Sequence, residues 1–201
     1  AFALGAYRVE IDLHPTTDGE FVVFHDWTLG CRTDGHGVTR EHTLAQLKRL
    51  DVGHGYTADK GKTYPFRGSG VGQIPSFGEV LAAFPSERFL VHLKSRHADE
   101  GRLLAKYLRS LGNAKIDRPL FYGSNEPLSA LGQALPEARA SSDTELKRCL
   151  MQYLALGWAG HVPSSCGHGM MLLPSNIAPW MWGWPHRLVE RLRAADSELF
   201  V

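Results

Sequence analysis

The chain has 201 residues, close to one large domain when a domain averages roughly 150 residues. Hydrophobic residues make up 43% and charged residues 21%, which excludes a disordered, collagen-like or coiled-coil chain. Against 21 acidic side chains stand 22 basic ones, a net charge of +1, so no global field attracts nucleic acid and no local basic patch is visible to replace it. No apolar run approaches the roughly 18 residues of a membrane span.

Ala1 to Ala6 lack a starting Met and read as the tail of a helix ending at Gly5. The chain is therefore expected to begin inside a larger protein, whose upstream part would carry any targeting signal. Tyr7, Val9, Ile11 and Leu13 alternate with Arg8, Glu10, Asp12 and His14, the period-2 signature of a strand. Asp18-Gly19 marks a tight turn, and Phe21 to Phe24 form a second strand. Thr43 and Gln46 make a capping-box pattern ahead of Leu44, Leu47 and Leu50, so a short helix is predicted. Residues 51–73 are glycine-rich and predict a long irregular insertion.

Ser76 with Glu79 opens a helix that ends near Pro85, and Phe89, Val91 and Leu93 give another strand. A helix carries Leu103, Leu104, Tyr107, Leu108 and Leu111 with Gly112 as its stop, followed by a short strand at Leu120 to Tyr122. Pro127 is read as the first position of the next helix, and Ser142 with Glu145 caps another that runs to Gly157. Trp158 to Val162 and Met170 to Leu173 are strand candidates, Pro185 to Ala195 a helix, and Leu199 to Val201 a last strand.

Short alternating strands and helices predict an α/β fold with a parallel sheet and right-handed crossovers. About seven core strands fall short of the eight of a (β/α)8 TIM-type barrel, which usually takes about 250 residues. The expectation is one such barrel domain over 1–201 that lacks its first strand and helix in this chain, with the insertion after its second strand. A doubly wound open sheet is the alternative, though no glycine-rich phosphate turn marks it.

Of three cysteines, Cys149 falls on an apolar helix face, where a thiol packs as a small buried hydrophobe. A bridge to Cys166 in an oxidising compartment is the other reading, and the spacing fits no zinc pattern.

Glu10 and Asp12, two apart on a strand, project from one face roughly 6 to 7 Å apart and can converge on a hard divalent cation. Otherwise they are the wet face of an edge strand. His25 ends an apolar run beside Asp26, well placed for proton transfer with an intrinsic pKa near 6.5. Lys94 shares a strand face with His92, and a buried ammonium needs a phosphate or carboxylate partner. A snorkelling surface lysine is the alternative. The run Pro179-Trp180-Met181-Trp182-Gly183-Trp184-Pro185 reads as core or rim packing, or else as an apolar wall for a lipid moiety.

Together these residues resemble the glycerophosphodiester phosphodiesterase family. The likeness lies in Gly5-Ala6-Tyr7-Arg8-Val9-Glu10-Ile11-Asp12-Leu13, in Thr16-Thr17-Asp18-Gly19 with Val22-Val23-Phe24-His25-Asp26, in Arg32-Thr33 and Gly35-His36-Gly37, and in Ile74-Pro75-Ser76-Phe77-Gly78-Glu79-Val80-Leu81. It is dense from residue 5 to 95 and thin afterwards. The resemblance implies a (β/α) barrel, a phosphoric diester hydrolase of lipid and glycerol metabolism that cleaves glycerophosphodiesters to an alcohol and glycerol 3-phosphate. It implies Glu10 and Asp12 as ligands of Mg²⁺, Ca²⁺ or Mn²⁺, His25 as one catalytic histidine and Lys94 as the phosphate contact. The family's other histidine, in a His-Arg-Gly motif, is expected upstream of Ala1, and its closing Trp-Thr-Val-Asn motif is absent here. His92 stands where the family has its third acidic ligand, so it is either a neutral metal ligand or a position filled by water. A barrel that binds phosphodiesters or lysophospholipids without turnover is the competing reading. A periplasmic or secreted location is slightly favoured over a cytoplasmic one.

Overall fold

The computed structural model describes residues 1–112 and 118–201. The alternation at the start of the chain becomes β1 (Val9–Pro15), which turns at Asp18-Gly19 and returns as antiparallel β2 (Phe21–Val23) with Leu13 opposite Val23. Gly19 holds the turn at φ 84°, a conformation that costs a residue with a Cβ. The Asp18 carboxylate accepts from Thr16 Oγ1 at 2.6 Å and from the backbone N–H of Leu44 at 3.1 Å, fastening the turn to the next helix.

Two of the predicted capping boxes form here, at Thr43 and Gln46 before α1 (Leu44–Leu47) and at Ser76 and Glu79 before α2 (Phe77–Ala83). Strand and helix then alternate through β3 (Phe89–Leu93), α3 (Ala98–Ser110), β4 (Leu120–Gly123), α4 (Asn125–Ala134), β5 (Arg139–Ser142), α5 (Asp143–Leu156), β6 (Met170–Leu172), α6 (His186–Ala194) and β7 (Glu198–Phe200). The third capping box, Ser142 with Glu145, opens α5.

The main sheet runs β2-β1-β3-β4-β5, with β1, β3, β4 and β5 all parallel, and β6 pairs in parallel with β7. The fold is therefore α/β with a parallel sheet. Leu13, Val91, Leu93 and Phe121 pack one sheet face against Phe77 of α2, Leu104 and Leu108 of α3 and Leu131 of α4. Each such buried side chain contributes about 1.5–3 kcal/mol relative to exposure. On the other face Leu90, Leu120 and Met170, with Leu172 and Phe200, form a cluster that spans the two sheets. Arg8 adds a second link, its guanidinium donating to both carboxylate oxygens of Glu198, at 3.0 and 2.6 Å, and to the carbonyl of Phe89. Among the described residues the two sheets meet through side chains, and no continuous ring of backbone hydrogen bonds joins them.

Three expectations need correction. Trp158 to Val162 is not a strand: Gly157–Ala159 is a 3₁₀ turn closed by Gly160 at φ 82°. The strand missed is β5, Arg-Ala-Ser-Ser, which has no β-branched or large apolar residue and owes its extension to pairing with β4. Pro127 is the third helical residue of α4, behind the N-cap Ser124.

The insertion is organised around one carboxylate. Asp51 accepts from the backbone N–H groups of Gly53, Gly68 and Gly70 at 3.0, 2.6 and 2.9 Å, closing residues 51–70 into a folded loop. A Cβ on Gly53 would lie 2.1 Å from the carbonyl oxygen of Phe66, so the clasp requires glycine there.

Cys149 and Cys166 are not free buried thiols but a disulfide, with Cα atoms 4.8 Å apart. An apolar helix face is equally suited to a thiol and to half of a bridge, so the sequence left both readings open. Closing a loop of 17 residues removes denatured-state entropy equivalent to about 3 kcal/mol. Replacing both cysteines with serine is expected to lower unfolding stability by about that amount, read from urea midpoints. No described helix is long and apolar enough to cross a membrane.

Candidate active site

The parallel register assembles the site. It sets Asp12 beside His92, His92 beside Tyr122, and Tyr122 beside Ser141, one row across four strands. Glu10 lies two residues before Asp12 on the same face of β1, as the strand period requires.

Asp12 is the hub. One of its oxygens accepts from His92 Nδ1 at 2.9 Å and pairs with the Lys94 ammonium at 3.2 Å. Burial on its own would raise the Asp12 pKa, but the His92 hydrogen bond and the Lys94 charge outweigh it and hold the carboxyl below its ordinary range. With Nδ1 donating to Asp12, a neutral His92 ring keeps its lone pair on Nε2. Tyr122 donates its hydroxyl to Glu10 Oε1 at 3.0 Å and stacks on His92 with centroids 4.6 Å apart and planes 16° from parallel. Burial, then the Glu10 charge, push the phenol well above its ordinary pKa, so it remains a donor.

Ligating atoms of Glu10, Asp12 and His92 all lie within 4.8 Å of one another. Ligands held at about 2.0–2.6 Å from one ion stand about 3 to 5 Å apart. Two carboxylates and one imidazole at this spacing fit a divalent cation.

His25 sits apart from that cluster. Its ring is 65% exposed, and its Nδ1 donates to Asp26 Oδ1 at 2.5 Å while Arg32 Nε donates to Asp26 Oδ2 at 2.9 Å. The His25 bond, more than the Arg32 charge, holds Asp26 below the ordinary carboxylate range. The backbone N–H of Phe24 donates to the Asp12 carbonyl at 3.1 Å, which anchors the His25 segment to the strand of the carboxylates. His14, the next inward residue of β1, is fully buried edge-on to Trp27 at 5.2 Å, and burial lowers its pKa to about 4, so its ring is neutral at physiological pH.

Of the residues singled out in the sequence, Glu10, Asp12, His92 and Lys94 come together. His25 is oriented by Asp26 and makes no side-chain hydrogen bond to them. Tyr122 was missed, although its place in a predicted strand was visible; its role depends on register, which the sequence does not display. The tryptophan-rich run packs in part against α5: Met181 is buried in one cluster with Cys149 and Tyr153, Trp184 packs against that cluster, Trp182 donates to the Leu154 carbonyl at 2.8 Å and Tyr153 donates to the Trp182 carbonyl. Trp180, 82% exposed, and Trp182 stand at its rim.

The chain belongs to the glycerophosphoryl diester phosphodiesterase family, whose model matches residues 1–114, more than half its length. A glycerophosphodiester phosphodiesterase of Caldanaerobacter subterraneus subsp. tengcongensis is 35% identical over 94 residues, covering 47% of this chain and 35% of that protein. One from Bacillus subtilis is 38% identical over 112 residues, covering 54% of this chain and 36% of that protein. The aligned stretches thus span about a third of these relatives. A glycerophosphodiester phosphodiesterase structure from Agrobacterium tumefaciens shares the fold at 22% identity and TM-score 0.65, covering 98% of this chain and 73% of that one. So does an Oleispira antarctica phosphodiesterase in complex with the product sn-glycerol-3-phosphate, at 18% identity and TM-score 0.58, covering 99% and 74%.

Proposed function

We propose that the protein hydrolyses glycerophosphodiesters to an alcohol and glycerol 3-phosphate with the help of a divalent cation. The observation that carries this reading is the convergence of Glu10, Asp12 and His92 within 4.8 Å, with the Lys94 ammonium on the same hub. Family membership and the product seen in the Oleispira antarctica structure support the substrate class.

Glu10, Asp12 and His92 would hold the cation, which supplies positive charge where phosphoryl oxygens gain negative charge. Two carboxylates in place of three leave the donor set less anionic, which favours Mn²⁺ relative to Ca²⁺. Asp12 steers Lys94 towards the phosphate and keeps its ammonium from being buried unpaired. Asp26 fixes the His25 ring through Nδ1, so Nε2 is the atom that hands a proton to the departing alkoxide. The parallel order of β1, β3, β4 and β5, and the inner cluster joining them to β6 and β7, support a single domain of the barrel type. The Cys149–Cys166 bridge supports an oxidising compartment.

The test is product analysis with glycerophosphocholine and the full-length protein in Mg²⁺, Mn²⁺ or Ca²⁺. Release of choline and glycerol 3-phosphate that stops on adding EDTA is expected. Binding without turnover, or turnover indifferent to EDTA, overturns the proposal.

A further inference from the structure

We infer that Tyr122 is a positioning residue of this site, its hydroxyl holding the Glu10 carboxylate and its ring holding the His92 imidazole, so that donors from two strands are presented to a cation as one preformed unit. The inference rests on the metal-site reading above and assigns a role to a side chain that is not itself a ligand.

Glu10 is exposed, and the Tyr122 hydroxyl, at 3.0 Å, is its one side-chain hydrogen-bond partner among the described residues. An exposed glutamate without that bond samples several rotamers and would have to be ordered by the ion itself. His92 is fixed from two directions, at its edge by Asp12 and on its face by the Tyr122 ring. Stacking follows from register, since His92 and Tyr122 are direct neighbours on adjacent parallel strands. The next residue makes the close approach possible. Gly123 stands at φ 143°, and a Cβ there would lie 3.0 Å from the Leu93 carbonyl oxygen and 3.5 Å from His92 Cδ2. Groups that orient metal ligands from outside the first layer typically alter affinity by 10- to 100-fold.

Two variants of the full-length protein separate the two contacts. Tyr122→Phe keeps the ring and loses the bond to Glu10; Tyr122→Leu loses both. Calorimetric titration with Mn²⁺ is expected to show affinity about 10-fold weaker for Tyr122→Phe and up to about 100-fold weaker for Tyr122→Leu. The His92 ring resonances should shift in Tyr122→Leu and stay in place in Tyr122→Phe, and kcat at saturating Mn²⁺ should fall less than Mn²⁺ affinity does. In a double-mutant cycle, Tyr122→Leu and His92→Ala should be less than additive in Mn²⁺ affinity, because the second change removes what the first one holds. If the unaltered protein binds no divalent cation, the metal-site reading fails and this inference falls with it. If it binds Mn²⁺ and both Tyr122 variants bind within twofold of it, the inference alone is overturned, and a lowered melting temperature with unchanged affinity reads the same way. Tyr122→Phe preserves the packed ring, so the test survives should Tyr122→Leu fail to fold.

Discussion

Replacing His25 with alanine in the full-length protein is expected to lower turnover by about 10²- to 10⁴-fold, the usual worth of a general acid, while leaving the melting temperature nearly unchanged. The two expectations come from the same geometry. The His25 ring is mostly exposed and fills no part of the core, so its removal opens no cavity. Its one strong contact, to Asp26, is itself braced by Arg32, and a braced imidazole at the end of a β-hairpin can exchange a proton without moving. Initial rates with glycerophosphocholine, set beside thermal melts of the same preparations, provide the check. A fully active His25→Ala variant would remove this residue from the chemistry.

Asp12→Asn should do harm of two kinds. The amide keeps the shape of the carboxylate and an acceptor oxygen for His92 Nδ1, but it loses the charge that Lys94 faces and that strengthens the His92 bond. Breaking a buried ion pair from one side costs about 3–5 kcal/mol when both partners are fully buried. His92 remains 30% exposed and the Lys94 side chain 13%, so a loss nearer about 2 kcal/mol is expected here. Catalysis should fall by about 10²- to 10³-fold or more, the scale on which a preorganised charge at a reacting phosphate acts. Denaturant midpoints and kcat/KM measured on one preparation report both effects. An Asp12→Asn enzyme with ordinary rate and stability would mean that the cluster is decorative.

How much of this could be read before any coordinates existed depends on whether the signal was local. Capping boxes at Thr43, Ser76 and Ser142 are written in four consecutive residues, and all three appeared where predicted. The strand pattern of Glu10 and Asp12 is equally local, and so the shared face of those carboxylates was legible. What failed was non-local. Arg139 to Ser142 becomes a strand because β4 lies beside it, not because of its own composition. Tyr122 acquires its two contacts from the offset between β1, β3 and β4, a quantity no single stretch of sequence encodes. The bridge between Cys149 and Cys166 depends likewise on how α5 meets the loop that follows it. His25 was legible as a residue type in a setting, whereas its brace of Asp26 and Arg32 needed coordinates.

The fork between Arg8 and Glu198 ties together residues 190 positions apart. The Arg8 side chain is only 4% exposed, and a guanidinium in such a place without its carboxylate is costly. As the chain leaves the ribosome amino end first, Arg8, the residue before β1, must therefore wait for nearly everything else to be made before its charge is neutralised. Contacts of such wide separation form slowly, because the intervening loop has to close first. The part of the sheet where β1 and β3 carry Glu10, Asp12 and His92 is thus expected to be among the last to set in newborn molecules, and among the more exposed to misassembly while it waits.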